Sequence, residues 1–233
     1  MSKVVSLVYH NIYIYRIIMN ILYGMKYKKR FDNINNLMRD NDKDIVELCF
    51  GDIYIAQYAS ITNRRWIGLD INESFIRYAN SKNYKAIKKD ILVAEIPKND
   101  VCIMIGSLYH FIDDIELVLT KMLQSAGRVI ISEPIKNLSN NKYIGFLAKK
   151  SGNAGNGKEE FRFTEDSFIK ILEEYKDKLS FSYKIIKKDM IYMMLITLLP
   201  VLLIMDHHLW HKFGLFPNMV QGLSRFDGMI LVS

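Results

Sequence analysis

The sequence predicts an α/β protein built on a doubly wound, mostly parallel sheet of seven strands, with helices on both faces and further helices at the N-terminus. Two observations predict it. From about residue 44, short apolar runs alternate with stretches whose apolar residues recur at helical spacing. Strands separated by such helices pair in parallel through right-handed crossovers. In addition, two of the runs end in a carboxylate, which is typical of strands that border a ligand site.

The predicted elements follow from local signals. Asn72 is a suitable N-cap for a helix over 72–80, and Thr164 opens a helix that reaches about Tyr175, with acidic residues in its first turn. We expect a tight turn at residues 188–189 between the last two strands. The seven strands are predicted at residues 45–50, 65–70, 85–89, 101–106, 127–133, 181–188 and 191–199.

Composition limits the classes of protein to which this chain can belong. The 233 residues suit one large α/β domain, and the 50% apolar share is enough to bury a sizeable core. The formal charge of +7 comes largely from lysines scattered through a Lys-, Ile- and Asn-rich chain, so we expect no nucleic-acid partner. Cys49 and Cys102 fall inside predicted strands, which favours a reducing cytosol over a disulfide framework. The first residues lack a charged-then-apolar leader, so we expect a cytoplasmic protein without an export signal.

Residues 1–43 are predicted to form helices. Apolar residues recur at helical spacing from about residue 10 to residue 39. Gly24 and the basic run 26–30 indicate a break or a solvated face between two helical pieces. The basic run lacks the interleaved aromatic and glycine pattern of RNA-reading modules. The α/β domain then covers residues 44–199.

The C-terminal extension, residues 200–233, has no clear pattern. The preceding run 190–205 is apolar over about sixteen residues and contains Pro200. A membrane-spanning helix needs about 20 residues, so the first half of this run suits a buried strand better. The lysines before it leave a second interpretation open, in which residues 190–205 make a peripheral membrane contact.

Two strand-end motifs suggest a nucleoside site. The first ends with Gly51 and Asp52 after a predicted strand, and the second, residues 66–70, ends with Asp70. Backbone N–H groups gather where the first strand gives way to a helix, and an acid at the tip of the second strand can accept hydrogen bonds from ribose hydroxyls. For a single acid, capping a helix is an equally good structural explanation.

The order of motifs over residues 44–134 resembles the class I S-adenosylmethionine-dependent methyltransferases, which have a Rossmann-like fold. Members of this family carry an acid and a glycine-rich turn after the first strand. Here Glu47 matches the acid and Gly51 matches the central glycine, whereas Cys49 and Ile53 replace the flanking glycines. The resemblance implies an antiparallel last strand and N-terminal helices that form a lid over the active site.

The resemblance also implies S-adenosylmethionine as the cofactor. Asp70 would bind both ribose hydroxyls, for which a carboxylate has the acceptors, and Ile71 would lie against the adenine. Asp90 would meet the adenine amino group, and Ile91 would cover the ring. The segment that begins at Gly106 would face the methionine part of the cofactor and the substrate. The cofactor-binding residues implied in this way are Glu47, Cys49, Gly51, Asp70, Ile71, Asp90, Ile91, Gly106 and Ser107.

Catalytic residues are implied near the same strand ends. The family transfers a methyl group directly to an O, N, S or C nucleophile, and an alcohol or phenol acceptor needs a base. His110 is the first candidate for this base and Glu133 the second, although His110 can equally be a core histidine that bonds to the backbone. The candidate substrate contacts, most of them on the N-terminal helices, are Tyr9, His10, Tyr13 and Tyr109.

The sequence therefore predicts a methyltransferase that acts on a small-molecule or lipid-like acceptor. The alternative is a non-catalytic S-adenosylmethionine-binding protein with a degenerate glycine turn, which Cys49 and Ile53 favour. A nicotinamide-dependent oxidoreductase would share the acid on the second strand but needs a G-x-G-x-x-G turn, which this chain lacks.

Three histidines near the C-terminus, His207, His208 and His211, suggest a metal site, because positions four apart share a helix face. Only Asp206 accompanies them as a further ligand, and neither a cysteine nor a second acid is close in sequence. We therefore predict no metal site and place these histidines on a surface or an interface.

Overall fold

A computed structural model describes residues 9–23, 26–134, 163–191 and 224–232. Its core is a sheet whose first five strands are parallel and lie in the order β3-β2-β1-β4-β5. The strands are β1 (Asp44–Leu48), β2 (Arg65–Asp70), β3 (Lys85–Lys88), β4 (Asn99–Ile105), β5 (Ala126–Pro134), β6 (Tyr183–Ile191) and β7 (Ser224–Val232). The helices are α1 (Ile12–Tyr23), α2 (Lys26–Asn35), α3 (Tyr54–Ile61), α4 (Glu73–Ser81), α5 (Ile115–Ser125) and α6 (Glu165–Lys178).

Helices cover both faces of the sheet, as the sequence predicts. Strands β1, β4 and β5 are buried almost throughout, which is expected of parallel strands covered on both sides. One face packs against α5 and α6, with Val118, Met122 and Leu172 in its core cluster. The other face packs against the N-terminal helices, α3 and α4. The strand order reverses between β1 and β4, and this reversal opens a crevice at their carboxyl ends.

Local signals set the helix boundaries. Asn72 is the N-cap of α4, and its side chain accepts a hydrogen bond from the backbone N–H of Ser74. Thr164 caps α6 in a capping box with Ser167. Both caps match the sequence prediction. The two predicted N-terminal helical pieces are also present, as α1 and α2 on either side of residues 24–25.

The last two strands differ from the prediction. Strand β6 continues through Asp189 to Ile191, so the expected turn at residues 188–189 is wrong. The strand that returns is β7, from the predicted C-terminal extension, and it lies antiparallel between β5 and β6. In this pairing, residues 229–232 of β7 lie opposite residues 129–132 of β5. Most of the predicted strand 191–199 and most of the apolar run 190–205 lie outside the described residues.

No helix within the described ranges has both the length and the apolar character that a membrane crossing requires.

Candidate functional site

The candidate site lies at the carboxyl ends of β1, β2 and β4, where three predicted motifs converge. A glycine turn, residues 49–53, follows β1. Within it, Cys49 (φ +51°) and Gly51 (φ +57°) both have left-handed backbone conformations. The backbone N–H of Cys49 donates to the carbonyl of Leu69 at 2.7 Å, which attaches the turn to β2. The sequence predicted this turn, but Cys49 takes up a conformation that is strained for any residue with a Cβ.

Asp70 links the glycine turn to the end of β2. Its side chain accepts hydrogen bonds from the backbone N–H groups of Asn72 at 2.8 Å and Gly51 at 3.5 Å. Burial raises the pKa of Asp70 to about 6, against the opposing effect of the backbone hydrogen bonds. The carboxylate is therefore mostly ionised at neutral pH. Because the bond to Gly51 is long, Asp70 keeps capacity to accept further hydrogen bonds.

Glu47 lies in β1, two residues before the glycine turn. Its side chain is fully buried, and Oε2 accepts a hydrogen bond from the indole N–H of Trp66 at 2.9 Å. Burial raises its pKa well above the usual value, and the charges of Asp52 and Asp70 add to the effect. Oε1 has no hydrogen-bond partner among the described residues. Through its bond to Trp66, Glu47 supports the pairing of β1 with β2.

Asp90 and its neighbours follow β3. Asp90 is exposed, and Oδ1 accepts a hydrogen bond from the backbone N–H of Leu92 at 2.9 Å. The backbone N–H of Lys89 donates to the carbonyl of Asp70, which holds this segment beside the end of β2. Ile71 is 48% exposed at the crevice rim, whereas Ile91 is buried in the core cluster under α5. Of the two isoleucines, Ile71 offers the larger open apolar surface.

Cys49 lies within the electrostatic influence of several acidic residues. Burial raises the pKa of its thiol well above the usual value, and the charges of Asp70, Asp90 and Glu133 raise it further. These three carboxylates come from the ends of β2, β3 and β5, so they surround one place although they are far apart in sequence. The raised pKa favours the neutral thiol over the thiolate.

Hydrogen bonds to β5 fix the segment that follows β4. Gly106 has φ +62°, and its backbone N–H donates to the carbonyl of Ser132 at 2.6 Å. Ser107 then precedes a short 3₁₀ helix, Leu108–Phe111. The backbone N–H of Leu108 donates to Oε1 of Glu133 at 2.7 Å. Glu133 is fully buried and therefore acts on this segment through a backbone bond, at the position of a helix cap.

His110 and Tyr109 lie in that 3₁₀ helix. Their rings are 3.9 Å apart between centroids, and Tyr109 is mostly buried, whereas His110 is partly exposed. The backbone N–H of His110 donates to the carbonyl of Ser107. His110 thus reaches the surface on a segment whose backbone is fixed by Glu133.

The N-terminal helices bind the glycine turn through an ion pair that the sequence did not reveal. Nε and Nη2 of Arg16 in α1 donate to Asp52 at 2.9 and 2.6 Å, and Nη1 donates to the hydroxyl of Tyr78. Tyr27 in α2 also donates to Asp52, at 3.3 Å. Asp52 is 1% exposed, so these are buried charge-assisted bonds. The only sequence signal was the position of Asp52 within the glycine turn.

Tyr9, His10 and Tyr13 lie at the α4 side of the crevice. The carbonyl of Tyr9 accepts a hydrogen bond from the side chain of Asn72 at 2.7 Å. His10 is exposed, and Tyr13 is 60% exposed with its ring edge-on to Tyr78. Tyr9 is therefore next to the Asp70 motif, whereas Tyr13 packs on the outer surface of α4. A role in substrate contact stays a prediction for all three.

A second cleft, of about 550 Å³, opens at the other edge of the sheet. It lies at the amino ends of the strands, between Asp44, Arg64, Tyr84 and Lys98. Open α/β sheets bind ligands at the carboxyl ends of their strands, so this cleft is not the expected ligand site.

The described residues contain no cluster of three metal-ligating side chains, and the histidines at 207–211 lie outside them.

Comparison with solved structures agrees with this geometry. The chain resembles the magnesium protoporphyrin IX methyltransferase of Synechocystis PCC 6803 with bound S-adenosylhomocysteine, with a TM-score of 0.59, 14% identity, and coverage of 90% of this chain and 84% of that one. It resembles the plantazolicin methyltransferase BpumL in complex with a monoazolic desmethylPZN analog and S-adenosylhomocysteine, with a TM-score of 0.60, 16% identity, and coverage of 94% of this chain and 90% of that one. The fold is that of the class I S-adenosylmethionine-dependent methyltransferases.

A third solved structure with the same fold is a methyltransferase of Thermotoga maritima described as a possible histamine N-methyltransferase, with a TM-score of 0.55, 11% identity, and coverage of 97% of this chain and 96% of that one. No family model and no curated protein matches the sequence. The methyltransferase fold is thus evident in the structure at sequence identities well below those that sequence comparison detects.

Proposed function

We propose that the protein is an S-adenosylmethionine-dependent methyltransferase that acts on a small-molecule acceptor. The observation that carries the proposal is the link between Asp70 and the glycine turn. A buried carboxylate at the tip of β2 accepts a hydrogen bond from the N–H of Gly51, next to the strand-order reversal. The solved structures with this fold that hold S-adenosylhomocysteine support the same cofactor.

The residues present fit that cofactor. Asp70 has the acceptor capacity that a ribose diol needs, Asp90 offers an exposed carboxylate, and Ile71 offers an apolar surface for an adenine ring. Gly51 and Gly106 have left-handed conformations after β1 and β4, and a Cβ at either position would come close to Tyr15 or Arg30 of the N-terminal helices. Asp70 would hold the ribose, and the two turns would border the methionine part.

The bound cofactor would supply a methyl group on an already activated sulfonium. The protein then has to align the acceptor with that group and exclude water. The helices α1 and α2, held by the Arg16–Asp52 pair, would cover the crevice. His110 would accept a proton from a hydroxyl acceptor, because its ring is partly exposed on the segment after β4. Glu133 would position that segment through its bond to Leu108.

The acceptor is a small molecule in this proposal because the solved relatives include enzymes named for a porphyrin and for plantazolicin. The lipid-like acceptor predicted from the sequence depended on the apolar N-terminal lid and the apolar C-terminal tail, and most of the apolar run 190–205 lies outside the described residues.

The test is methyl transfer itself. Purified protein is incubated with methyl-labelled S-adenosylmethionine and a panel of hydroxyl, amine and thiol acceptors, and release of S-adenosylhomocysteine is measured by mass spectrometry. Acceptor-dependent release that is lost in Asp70→Ala supports the proposal. Binding of the cofactor without release on any acceptor would favour the non-catalytic alternative, and absence of binding at millimolar cofactor would overturn both.

A further inference from the structure

Lys121 in α5 is bound to the turn that follows β3. Its half-buried ammonium group donates to three backbone carbonyls of this turn, those of Ile91 at 3.0 Å, Leu92 at 2.6 Å and Ala94 at 3.1 Å. A lysine ammonium group has three N–H donors, so this one turn accounts for all of them. The three bonds attach α5 to a segment that lies thirty residues earlier in the chain.

The same turn carries Asp90. The backbone N–H of Leu92 donates to Oδ1 of Asp90 at 2.9 Å. The backbone N–H groups of Val93 and Ala94 donate to the carbonyl of Asp90 at 3.2 and 2.7 Å. Leu92 therefore connects the two charged groups, because its carbonyl binds Lys121 and its N–H binds the carboxylate. The second oxygen of that carboxylate, Oδ2, forms no hydrogen bond with a described residue and can accept one from a ligand.

The two sides of the turn differ in their support. On the inner side, Ile91 is buried in the core cluster that includes Val118 and Met122 of α5. On the outer side, Val93 is 82% exposed and Asp90 is exposed as well. Small rotations of the peptide groups would redirect a carboxylate on such a turn. An ammonium group that binds three of the carbonyls restricts these rotations, so the carboxylate keeps one direction before a ligand arrives.

We propose that Lys121 is a positioning residue that directs Asp90 at the 6-amino group of the cofactor's adenine, and so sets the preference for a purine that carries this group. The inference rests on the proposed function and deepens it, because it assigns base selectivity to a residue of α5. A lysine suits this task, since its three donors can bind carbonyls that do not share a plane, whereas the donors of an arginine lie in one plane.

The first test compares two ligands on the wild-type protein by calorimetry. One is S-adenosylhomocysteine, and the other is its deamino analogue, in which hydrogen replaces the 6-amino group. We expect the analogue to bind about tenfold more weakly, because a hydrogen bond to a charged group is lost. Equal affinities would overturn the inference and leave the proposed function intact. Absence of binding by S-adenosylhomocysteine would instead overturn the proposed function.

The second test changes Lys121. We expect Lys121→Met to weaken S-adenosylhomocysteine about fivefold and to leave the deamino analogue within about twofold, because Asp90 contributes only to the first ligand. Lys121→Gln lacks the charge and two of the three bonds, so we expect a smaller loss of the same kind, and this second variant keeps the test independent of how one variant folds. Lys98→Met removes an ammonium group that donates to a single carbonyl, that of Gln124 at 2.6 Å, and is the matched control that should change neither ligand.

A double variant tests whether Lys121 acts through Asp90. In Asp90→Ala the preference for the amino group should be absent, and adding Lys121→Met should weaken neither ligand further, because coupled residues are not additive. A folded Lys121 variant that keeps the wild-type preference, or that weakens both ligands equally, would overturn the inference and leave Lys121 as a residue that only stabilises the turn. An equal effect of Lys121→Met with and without Asp90 would overturn it too.

Discussion

The carboxylate of Asp70 accepts a hydrogen bond from the backbone N–H of Gly51, nineteen residues earlier in the chain. This bond joins the two motifs that make an open α/β sheet able to hold a nucleoside, the turn after the first strand and the acid at the tip of the second. The carboxylate of Asp70 is buried at this junction and can still accept further hydrogen bonds.

Cofactor affinity should depend on the ionisation of Asp70. Its pKa is raised to about 6 by burial, and only the ionised form accepts both ribose hydrogen bonds. We expect the affinity for S-adenosylhomocysteine to rise between pH 5 and pH 7 and then to level off, as measured by calorimetry. Affinity that is constant across this range, in protein that remains folded, would contradict the assignment.

The same pKa shift predicts an opposite effect on stability. The folded pKa lies above the unfolded value of 3.8, so the unliganded protein binds more protons when folded and loses stability as pH rises from about 4 to about 6. Asp70→Asn removes this cost, so we expect higher stability in urea at pH 7 together with weaker cofactor binding. A variant that is destabilised at pH 7 would contradict the burial explanation.

The ion pair between Arg16 and Asp52 should hold α1 on the glycine turn. Arg16→Met leaves Asp52 buried without its main counter-charge, and we expect a loss of about 2 kcal/mol in the free energy of unfolding, since Arg16 itself is partly exposed. Urea denaturation measures the loss. Arg65→Met breaks an exposed pair with Asp44 and is the control, for which we expect a much smaller loss because solvent screens the pair. Similar losses in both variants would argue against a special role for Arg16.

Cys49 should be strained by its left-handed backbone. We compare Cys49→Gly with Cys49→Ala, because both remove the thiol and only alanine keeps a Cβ. At φ +51° we expect the glycine variant to be more stable by about 1 kcal/mol in urea. If the alanine variant is equally stable or more stable, the turn does not impose strain on this position.

Much of the candidate site could be predicted from the sequence, because many of its parts depend on local patterns. The tips of β1 and β2, the N-cap Asn72 and the positions of Asp70 and Gly51 all follow from patterns within a few residues. Parallel strands then bring their ends together at one edge of the sheet.

The contacts that could not be predicted join residues far apart in the chain. Arg16 meets Asp52 across 36 residues, and Arg30 meets Ser132 across 102. Neither arginine lies in a local sequence pattern that predicts its partner. The position of β7 was missed for a similar reason, because its pairing with β5 depends on the whole sheet and not on the turn expected at residues 188–189.

Glu133 and His110 should differ in kinetic effect. Glu133→Gln keeps an oxygen acceptor for the N–H of Leu108, whereas Glu133→Ala removes it. We expect the alanine variant to lose at least tenfold in turnover and the glutamine variant to lose much less. Equal effects of glutamine and alanine at position 133 would mean that the carboxylate itself is required.

His110→Ala should lower kcat more than it weakens cofactor binding. Equal losses in kcat and in cofactor affinity would make His110 a packing residue.

The most direct measurement is the titration of S-adenosylhomocysteine into the wild-type protein and Asp70→Ala. We expect saturable binding to the wild-type protein and an affinity at least tenfold lower in the variant, because two charge-assisted hydrogen bonds to the ribose are lost. Asp44→Ala, at the opposite end of β1, should bind as the wild-type protein does. Unchanged affinity in a folded Asp70→Ala protein would contradict the account.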